Sequence, residues 1–235
     1  MVDIHLRGEL WDNDSADVLR WWGWRDITAP MDIAAALETA GGDDVTLLIN
    51  SPGGDMTVGG EIRSMLRRYS GKTTALFQGY GASAATLAAS GCNRVTSEPG
   101  ALLCYHNPSA GAQGDFHDME RSAEALRNAR DCILEMYTAR QGTKSREELI
   151  ELMDKNIWIS PGQALEYGLL DEVVGLDGES GDPAAFVAAA PGGRIRLTAA
   201  MRERYQAHVA DQKAARGREE QARRALARLR ALATF

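Results

Sequence analysis

Two continuous apolar runs separated by a helical pattern constrain the fold of this chain most strongly. Val45–Ile49 and Thr73–Phe77 are short and rich in branched residues, which is typical of strands buried on both faces of a parallel sheet. Between them, residues 55–68 place apolar side chains at helical spacing. A strand, a helix and a second strand in this order predict a right-handed β-α-β crossover.

The same alternation of strands and helices continues along most of the chain. Further strands are predicted at Asp3–Leu10, Arg94–Thr96, Ala101–Tyr105 and Leu169–Val174, and further helices at Met31–Ala40, Ser83–Ser90, Phe116–Arg140, Ser145–Met153 and Ser160–Tyr167. The sequence therefore predicts an α/β fold on a mostly parallel sheet. Residues 11–29 contain Trp21, Trp22 and Trp24, which would pack either against another subunit or over the core.

Composition divides the chain into three predicted regions. Residues 1–175 form the α/β domain, residues 176–198 read as a linker rich in Gly, Ala, Asp and Pro, and residues 199–235 form a helical basic tail. The formal net charge is -7, yet residues 201–235 hold nine Lys/Arg against four Asp/Glu. An acidic body argues against nucleic-acid binding. The tail is either a contact for an acidic partner or a solvated helix face.

The remaining bulk features predict a cytoplasmic protein that does not associate with membranes. No segment approaches the roughly 18 apolar residues that span a bilayer, and the N-terminus lacks the basic and apolar regions of a secretory signal. The three cysteines, Cys92, Cys104 and Cys132, lie far apart without metal-ligand spacing. We therefore expect reduced thiols, no metal and no cofactor.

The segment Gly79-Tyr80-Gly81-Ala82-Ser83-Ala84-Ala85 places one serine between a predicted strand and a predicted helix. Small neighbours allow a tight turn that exposes the Ser83 hydroxyl, although the full Gly-x-Ser-x-Gly pattern is absent. Taken alone, such a serine is more often a helix N-cap than a nucleophile. A nucleophilic serine also needs a base for its proton and donors for the oxyanion.

Two other segments could supply those groups. The loop Asn50–Asp55 contains a Pro-Gly-Gly turn whose backbone N–H groups could point at a ligand, or could simply reverse the chain. His106 follows the predicted strand Ala101–Tyr105, and a neutral-range pKa suits a general base. The loop, Ser83 and His106 each follow a predicted strand, so we expect them together at the carboxyl edge of the sheet.

In combination these segments resemble the ClpP family of self-compartmentalising serine peptidases. The matching segments are Leu48–Gly54, Gly81–Ala85, His106–Pro108 and Ala164–Asp171. The chain is most similar to the phage branch, the ClpP-like head maturation proteases, through His106–Pro108, Lys144–Glu148 and Met153–Trp158. The resemblance implies a ClpP/crotonase-like fold of repeated β-α-β units over residues 2–175, followed by a C-terminal helical extension.

The resemblance also implies the roles of individual residues. Ser83 would be the nucleophile and His106 the general base, and the backbone N–H groups of Gly54 and Ala84 would form the oxyanion hole. Members of the family assemble as homo-oligomeric stacked rings that enclose their sites. The resemblance therefore implies a ring and a protein or peptide substrate.

The third member of the triad is open. The family's acidic position falls on Asn156, where an amide can orient a histidine but cannot neutralise its positive charge. Asp154 is the alternative if the segment is strand-like, since residues two apart then share a face. Another group or a water molecule is the third possibility.

Several functions fit this set of residues. The first is a head maturation protease that cleaves capsid or scaffold proteins. The second is the proteolytic subunit of an ATP-dependent Clp protease, whose AAA+ ATPase would be a separate partner because the chain has no Gly-x-x-x-x-Gly-Lys-Ser/Thr motif. A crotonase-like acyl-CoA enzyme and a catalytically silent ring scaffold are the alternatives from other classes.

Overall fold

The computed structural model describes residues 1–175 and 198–232, with the side chains of the last helix described as far as residue 218. The chain divides into two compact units, Met1–Ala16 with Arg25–Gly192 and Asp17–Trp24 with Gly193–Phe235. Most of the predicted linker, residues 176–197, lies outside the described residues, as do residues 233–235. The three-region division proposed from composition therefore stays a prediction.

In chain order the elements are β1 (Val2–Leu10), α1 (Asn13–Trp21), β2 (Ile27–Thr28), α2 (Pro30–Ala40), β3 (Val45–Gly54), α3 (Met56–Arg68), β4 (Thr73–Ala82), α4 (Ala84–Ala89), β5 (Arg94–Ser97), β6 (Leu102–Cys104), α5 (Phe116–Thr138), α6 (Arg146–Lys155), α7 (Pro161–Glu166), β7 (Glu172–Val173) and α8 (Ala199–Leu232). Among the described residues, no helix combines the length and apolar character that crossing a bilayer requires.

The first unit is built on a parallel sheet. Its strand order is β2-β1-β3-β4-β5-β7, with β6 pairing to β4 beside this path, and each of these strand pairs is parallel. The α/β prediction is confirmed. Two elements were not predicted from the sequence, α1 and β2. A nine-residue helix and a two-residue strand are too short for apolar periodicity to identify.

Strand β4 is long enough to pair with two strands along the same side. Its first half pairs with β5, and Tyr80–Ala82 pairs with Leu102–Cys104 of β6. On its other side, β6 forms an antiparallel bridge in which Leu103 and Ile159 exchange backbone hydrogen bonds of 3.1 and 2.8 Å. Strand β6 is therefore held between β4 and the segment that follows α6.

The carboxyl ends of β3, β4 and β6 meet at one edge of the sheet. In the pairing register, Ser51 lies opposite Gly81, and Ala82 lies opposite Cys104. The side chains of Leu47, Phe77 and Leu103 on these strands are fully buried. Strand β3 continues through Gly54 because its glycines pair with β1, so the segment predicted as a glycine loop is the carboxyl end of a strand. The core therefore fixes this strand and the two strands that precede Ser83 and His106.

In the second unit, the aromatic cluster of α1 contacts the C-terminal helix. The Trp21 ring lies 6.1 Å from the ring of Tyr205 and 5.0 Å from that of His208, between centroids. All three tryptophans nevertheless remain exposed, Trp21 and Trp22 at 39% and Trp24 at 46%. Trp21 therefore packs against α8 of its own chain, an arrangement that the sequence did not predict.

Helix α3 packs closely on α4, the helix that begins at the candidate nucleophile. A Cβ added to Gly59 would lie 2.5 Å from the carbonyl oxygen of Ala84, whereas one added to Gly60 would lie 3.7 Å from its nearest neighbour, the methyl carbon of Met136. The first distance is a clash and the second is ordinary contact.

We expect opposite effects from alanine at these adjacent helical positions. Gly59→Ala should lower the free energy of unfolding by about 1–3 kcal/mol because the two helices must separate. Gly60→Ala should raise it by about 0.5–1 kcal/mol because alanine is the better helix former. Urea denaturation of both variants measures the difference. Equal effects would contradict the close α3–α4 contact.

Candidate active site

Ser83 has an unusual backbone conformation at the junction of β4 and α4. Its φ and ψ are 54° and -129°. Among the described non-glycine residues, only Ser83 and Asn156 have positive φ. Such a conformation costs about 1–3 kcal/mol for a side chain other than glycine. Although Ser83 occupies the N-cap position, its side chain makes no cap hydrogen bond, so capping does not explain why a serine is here.

The turn at Ser83 is held from both of its ends. The Ser83 N–H donates to the carbonyl of Cys104 at 3.0 Å, which extends the β4–β6 ladder by one bond. The Ser83 carbonyl accepts from the Thr86 hydroxyl at 2.6 Å and from the Thr86 N–H at 2.9 Å. The hydroxyl of Ser83 contributes to none of these bonds. The backbone is therefore fixed while the hydroxyl stays available for chemistry.

A buried tyrosine completes this support. Tyr137 of α5 lies 2.7 Å from Thr86, hydroxyl to hydroxyl. Because Thr86 gives its only hydroxyl proton to Ser83, Tyr137 must be the donor in this pair. Burial raises the pKa of Tyr137 above its ordinary value, which keeps the phenol protonated and able to donate.

The glycine loop at the end of β3 lies directly against Ser83. A Cβ added to Gly53 would lie 2.5 Å from the Ala82 carbonyl oxygen, 2.6 Å from the Ser83 Cβ and 2.9 Å from the Ala84 nitrogen. Gly53 also has a φ of 91°, a conformation that glycine adopts without steric cost. The sequence singled out the whole loop, but only the structure identifies Gly53 as the residue in closest approach.

Gly54 and Ser51 fix the other side of this loop. Gly54 lies opposite Leu10 of β1, and a Cβ added to it would lie 2.2 Å from the Leu10 carbonyl oxygen. The Ser51 hydroxyl accepts from the Gly53 N–H at 3.0 Å and donates to the Gly8 carbonyl at 2.6 Å. The loop is thus anchored to β1 on one side and packed against Ser83 on the other.

His106 lies just beyond β6, next to the turn at Ser83. Because Ala82 pairs with Cys104, the two chains leave the sheet side by side. The half-buried ring places Nδ1 2.7 Å from the backbone carbonyl oxygen of Asn107. Between the described residues, no hydrogen bond joins the Ser83 hydroxyl to His106. The structure brings the candidate nucleophile and the candidate base to the same edge of the sheet without a direct hydrogen bond between them.

The two candidates for the third triad position have different surroundings. Asn156 is an exposed left-handed C-cap of α6, with φ 48° and ψ 50°, a position that asparagine commonly fills. Asp154 lies in the last turn of α6, so the premise of a strand-like segment at residues 154–156 is wrong. Its carboxylate accepts from the Asn107 side-chain amide at 2.7 Å. Of the hydrogen bonds that the described residues make, neither candidate's reaches the His106 ring.

Other reactive groups near this edge do not compete with the serine. Burial raises the pKa of the Cys104 thiol to about 11, so this thiol stays neutral and weakly nucleophilic. Within the described residues, no three His, Cys, Asp or Glu side chains form a group that could hold a metal ion. The half-buried Ser83 therefore remains the candidate nucleophile at this edge of the sheet.

Comparison with known proteins agrees with this arrangement. The sequence model of the Clp protease family matches residues 28–177, a span that includes the glycine loop, Ser83, His106 and Asn156. The chain belongs to the Clp protease family. The match ends before α8, so the C-terminal helix lies outside the family's common region.

Two curated relatives and one solved structure illustrate the similarity. An ATP-dependent Clp protease proteolytic subunit 1 from Streptomyces avermitilis is 35% identical over 133 residues, covering 56% of this chain and 61% of the relative. The corresponding subunit 1 from Chlamydia muridarum is 30% identical over 142 residues, covering 58% of this chain and 72% of the relative. This Clp family chain therefore spans less than three quarters of either relative's length.

The structural similarity concerns the fold alone. A mutant ClpP1 from Listeria monocytogenes superposes with a TM-score of 0.59 at 21% identity, over 73% of this chain and 90% of that one. The fold is thus of the ClpP type, as the sequence resemblance implied.

Two residues that support the turn at Ser83, Thr86 and Tyr137, were not found from the sequence. Gly53 and Asn107 lie in segments that the sequence singled out, but their individual contacts were not predicted. Thr86 and Tyr137 are 51 positions apart, and no short motif connects such residues. Asn107 lies in the loop that follows β6, whereas its hydrogen-bond partner Asp154 lies in α6.

Proposed function

We propose that this chain is a serine endopeptidase in which Ser83 is the nucleophile and His106 the general base. The observation that carries the proposal is the strained backbone of Ser83, whose hydroxyl caps no helix. Strain of this kind persists where function requires a side chain in a fixed place. The second positive-φ residue, Asn156, is explained by its C-cap role, whereas Ser83 has no structural explanation of that kind.

The proposed reaction follows from these positions. The Ser83 hydroxyl oxygen attacks the substrate carbonyl while His106 Nε2 accepts the hydroxyl proton and later returns it to the leaving amine. Backbone N–H groups of Gly54 and Ala84 would stabilise the tetrahedral oxyanion. Ala84 is the first residue of α4, where an N–H has no intrahelical acceptor.

The bond from Ser83 to His106 would form when substrate binds. Catalytic hydrogen bonds are often long or poorly aligned without substrate and tighten in the Michaelis complex. The pairing of β4 with β6 already holds the two residues at the same edge of the sheet. The third triad member stays open between Asn156 and Asp154.

For the natural substrate we propose capsid or scaffold proteins during the assembly of a phage head. The basic helix α8, which lies beyond the span matched by the family, favours this proposal because it could tether the enzyme to an acidic partner. A homo-oligomeric ring with enclosed sites is part of the same proposal, by analogy with the family.

A second candidate is the proteolytic subunit of an ATP-dependent Clp protease. The names of the relatives from S. avermitilis and C. muridarum favour it. An AAA+ ATPase would then deliver unfolded substrates. Membership in the Clp protease family leaves no basis for the acyl-CoA enzyme, and a silent ring scaffold is the negative outcome of the test below.

The test begins with a fluorophosphonate probe, which reacts with activated serines. We expect wild-type protein to label and Ser83→Ala not to label. Unlabelled enzyme, with Ser83→Ala as the control, is then compared on purified capsid and scaffold proteins without ATP, and on unfolded casein with and without an AAA+ ATPase. Cleavage of capsid proteins at a few sites supports head maturation, and ATPase-dependent degradation of casein supports the second candidate. Wild-type protein that never labels would leave only the silent scaffold.

A further inference from the structure

Three residues connect the candidate base to helix α6 through two short hydrogen bonds. His106 Nδ1 lies 2.7 Å from the Asn107 carbonyl oxygen. The Asn107 side-chain nitrogen in turn donates to Asp154 Oδ1 at 2.7 Å. The three residues therefore form a continuous chain of contacts from the imidazole ring to a carboxylate.

The first of these contacts fixes the tautomer of the histidine. A backbone carbonyl has lone pairs and no proton, so it can only accept a hydrogen bond. His106 Nδ1 must therefore carry the proton, which leaves Nε2 unprotonated. An unprotonated Nε2 is the form that a general base needs in order to take a proton from serine.

The second contact fixes the orientation of Asn107. The amide oxygen of Asn107 is buried and has no partner among the described residues. Exchanging the amide oxygen and nitrogen would place that oxygen against the Asp154 carboxylate, where two acceptors repel. The carboxylate therefore selects the observed orientation, and a charged acceptor makes this bond stronger than a neutral one.

The position of Asp154 in α6 does not favour the stability of the helix. Asp154 is next to the last residue of α6, where the helix dipole disfavours a negative charge. It is also exposed, so the core does not require it. Its hydrogen bond to Asn107 is the contact that accounts for a carboxylate at this position.

We propose that Asp154 is a positioning residue that acts on His106 through Asn107, with the Asn107 carbonyl as the direct partner of the ring. The inference rests on the proposed function of Ser83 and His106. A backbone carbonyl thereby takes the orienting role that a carboxylate has in a Ser-His-Asp triad. Asn156 is the left-handed C-cap at which α6 ends, and Asp154 lies in the last turn of α6 just before it.

The test compares two carboxylates on the same helix. Asp154→Asn removes the charge that holds Asn107, and Glu151→Gln removes an exposed charge one turn earlier. For Asp154→Asn we expect fluorophosphonate labelling of Ser83 to slow at least about tenfold in its maximal rate constant, with the half-saturating probe concentration unchanged. Glu151→Gln should label at the wild-type rate. A general disturbance of the structure would change both the maximal rate constant and the half-saturating probe concentration.

A double-mutant cycle then tests whether Asp154 acts through Asn107. Asn107→Ala should slow labelling like Asp154→Asn, and the double variant should be no slower than Asn107→Ala alone. If the double variant lost the product of the two single losses in labelling rate, the two residues would act independently and the proposal would be overturned. It would also be overturned if Asp154→Asn labelled as fast as Glu151→Gln. A loss with Asn156→Gly that Asp154→Asn does not share would also overturn it and assign the role to Asn156. Wild-type protein that fails to label overturns the proposed function itself, a result distinct from all of these.

Discussion

Ser83→Ala and Ser83→Gly are both expected to slow peptide hydrolysis at least about a thousandfold, because each removes the proposed nucleophile. Their stabilities should differ. Alanine keeps the side-chain strain at a φ of 54°, whereas glycine adopts positive φ freely. Glycine relieves about 1–3 kcal/mol of backbone strain. Its greater flexibility in the unfolded chain costs about 0.5–1 kcal/mol. We therefore expect Ser83→Gly to be more stable than Ser83→Ala.

Thermal unfolding at one protein concentration measures this difference. A gain of about 1 kcal/mol corresponds to roughly 2–4 °C in a chain of this size. Ser90 is the matched control because it lies at the other end of α4 with an ordinary helical φ of -62°. There Ser90→Gly should be less stable than Ser90→Ala. If glycine is also the less stable substitution at residue 83, the strain argument for a functional serine is wrong.

Gly53→Ala is expected to lose at least about a hundredfold in activity, because a displacement of about 1 Å at a reacting group costs that much. The new methyl group would lie 2.5 Å from the Ala82 carbonyl oxygen and 2.6 Å from the Ser83 Cβ. The alanine would also have to adopt a φ of 91°, which is strained for any residue with a side chain. The loop and the turn at Ser83 must therefore move apart, and we expect the free energy of unfolding to fall by about 1–3 kcal/mol.

Gly100→Ala is the matched control for this substitution. Gly100 lies just before β6 in an exposed turn, and a Cβ added there has nothing within 4 Å. We expect this variant to keep wild-type activity and to be slightly more stable, by about 0.4–1 kcal/mol, because alanine restricts the unfolded chain. Fluorophosphonate labelling and urea denaturation measure both variants. Normal labelling of Gly53→Ala would contradict the close approach of the loop to Ser83.

The sequence predicted the architecture well because buried parallel strands leave a clear pattern. Val45–Ile49 and Thr73–Phe77 lie within β3 and β4, side by side in the sheet. The same pattern put Ser83 and His106 after strands, and the structure places them at one edge. The predicted glycine loop is instead the last part of β3, which runs to Gly54. The weakest strand prediction was Leu169–Val174, of which only Glu172–Val173 pairs in the sheet.

The details of the site depend on contacts that no local pattern contains. Whether Gly53 or Gly54 approaches Ser83 depends on a single φ and on the register with β1. The bond from Asn107 to Asp154 joins residues 47 positions apart, and it required α6 to continue past the point where the sequence predicted its end. The roles of Ser83, His106, Gly54, Ala84 and Asn156 stay predictions until the variants are measured.

The pairing of β6 on both sides makes alignment of the site a cooperative property. This three-residue strand is bonded to β4, which leads into Ser83, and to Ile159, which follows α6 and Asp154. Detaching β6 would therefore separate Ser83, His106 and Asp154, the proposed nucleophile, base and positioning carboxylate, in a single opening event. Because Leu103 of β6 is fully buried in the core, this opening requires the loss of core contacts and is therefore costly. The proposed active site would then be lost as a unit rather than weakened by degrees.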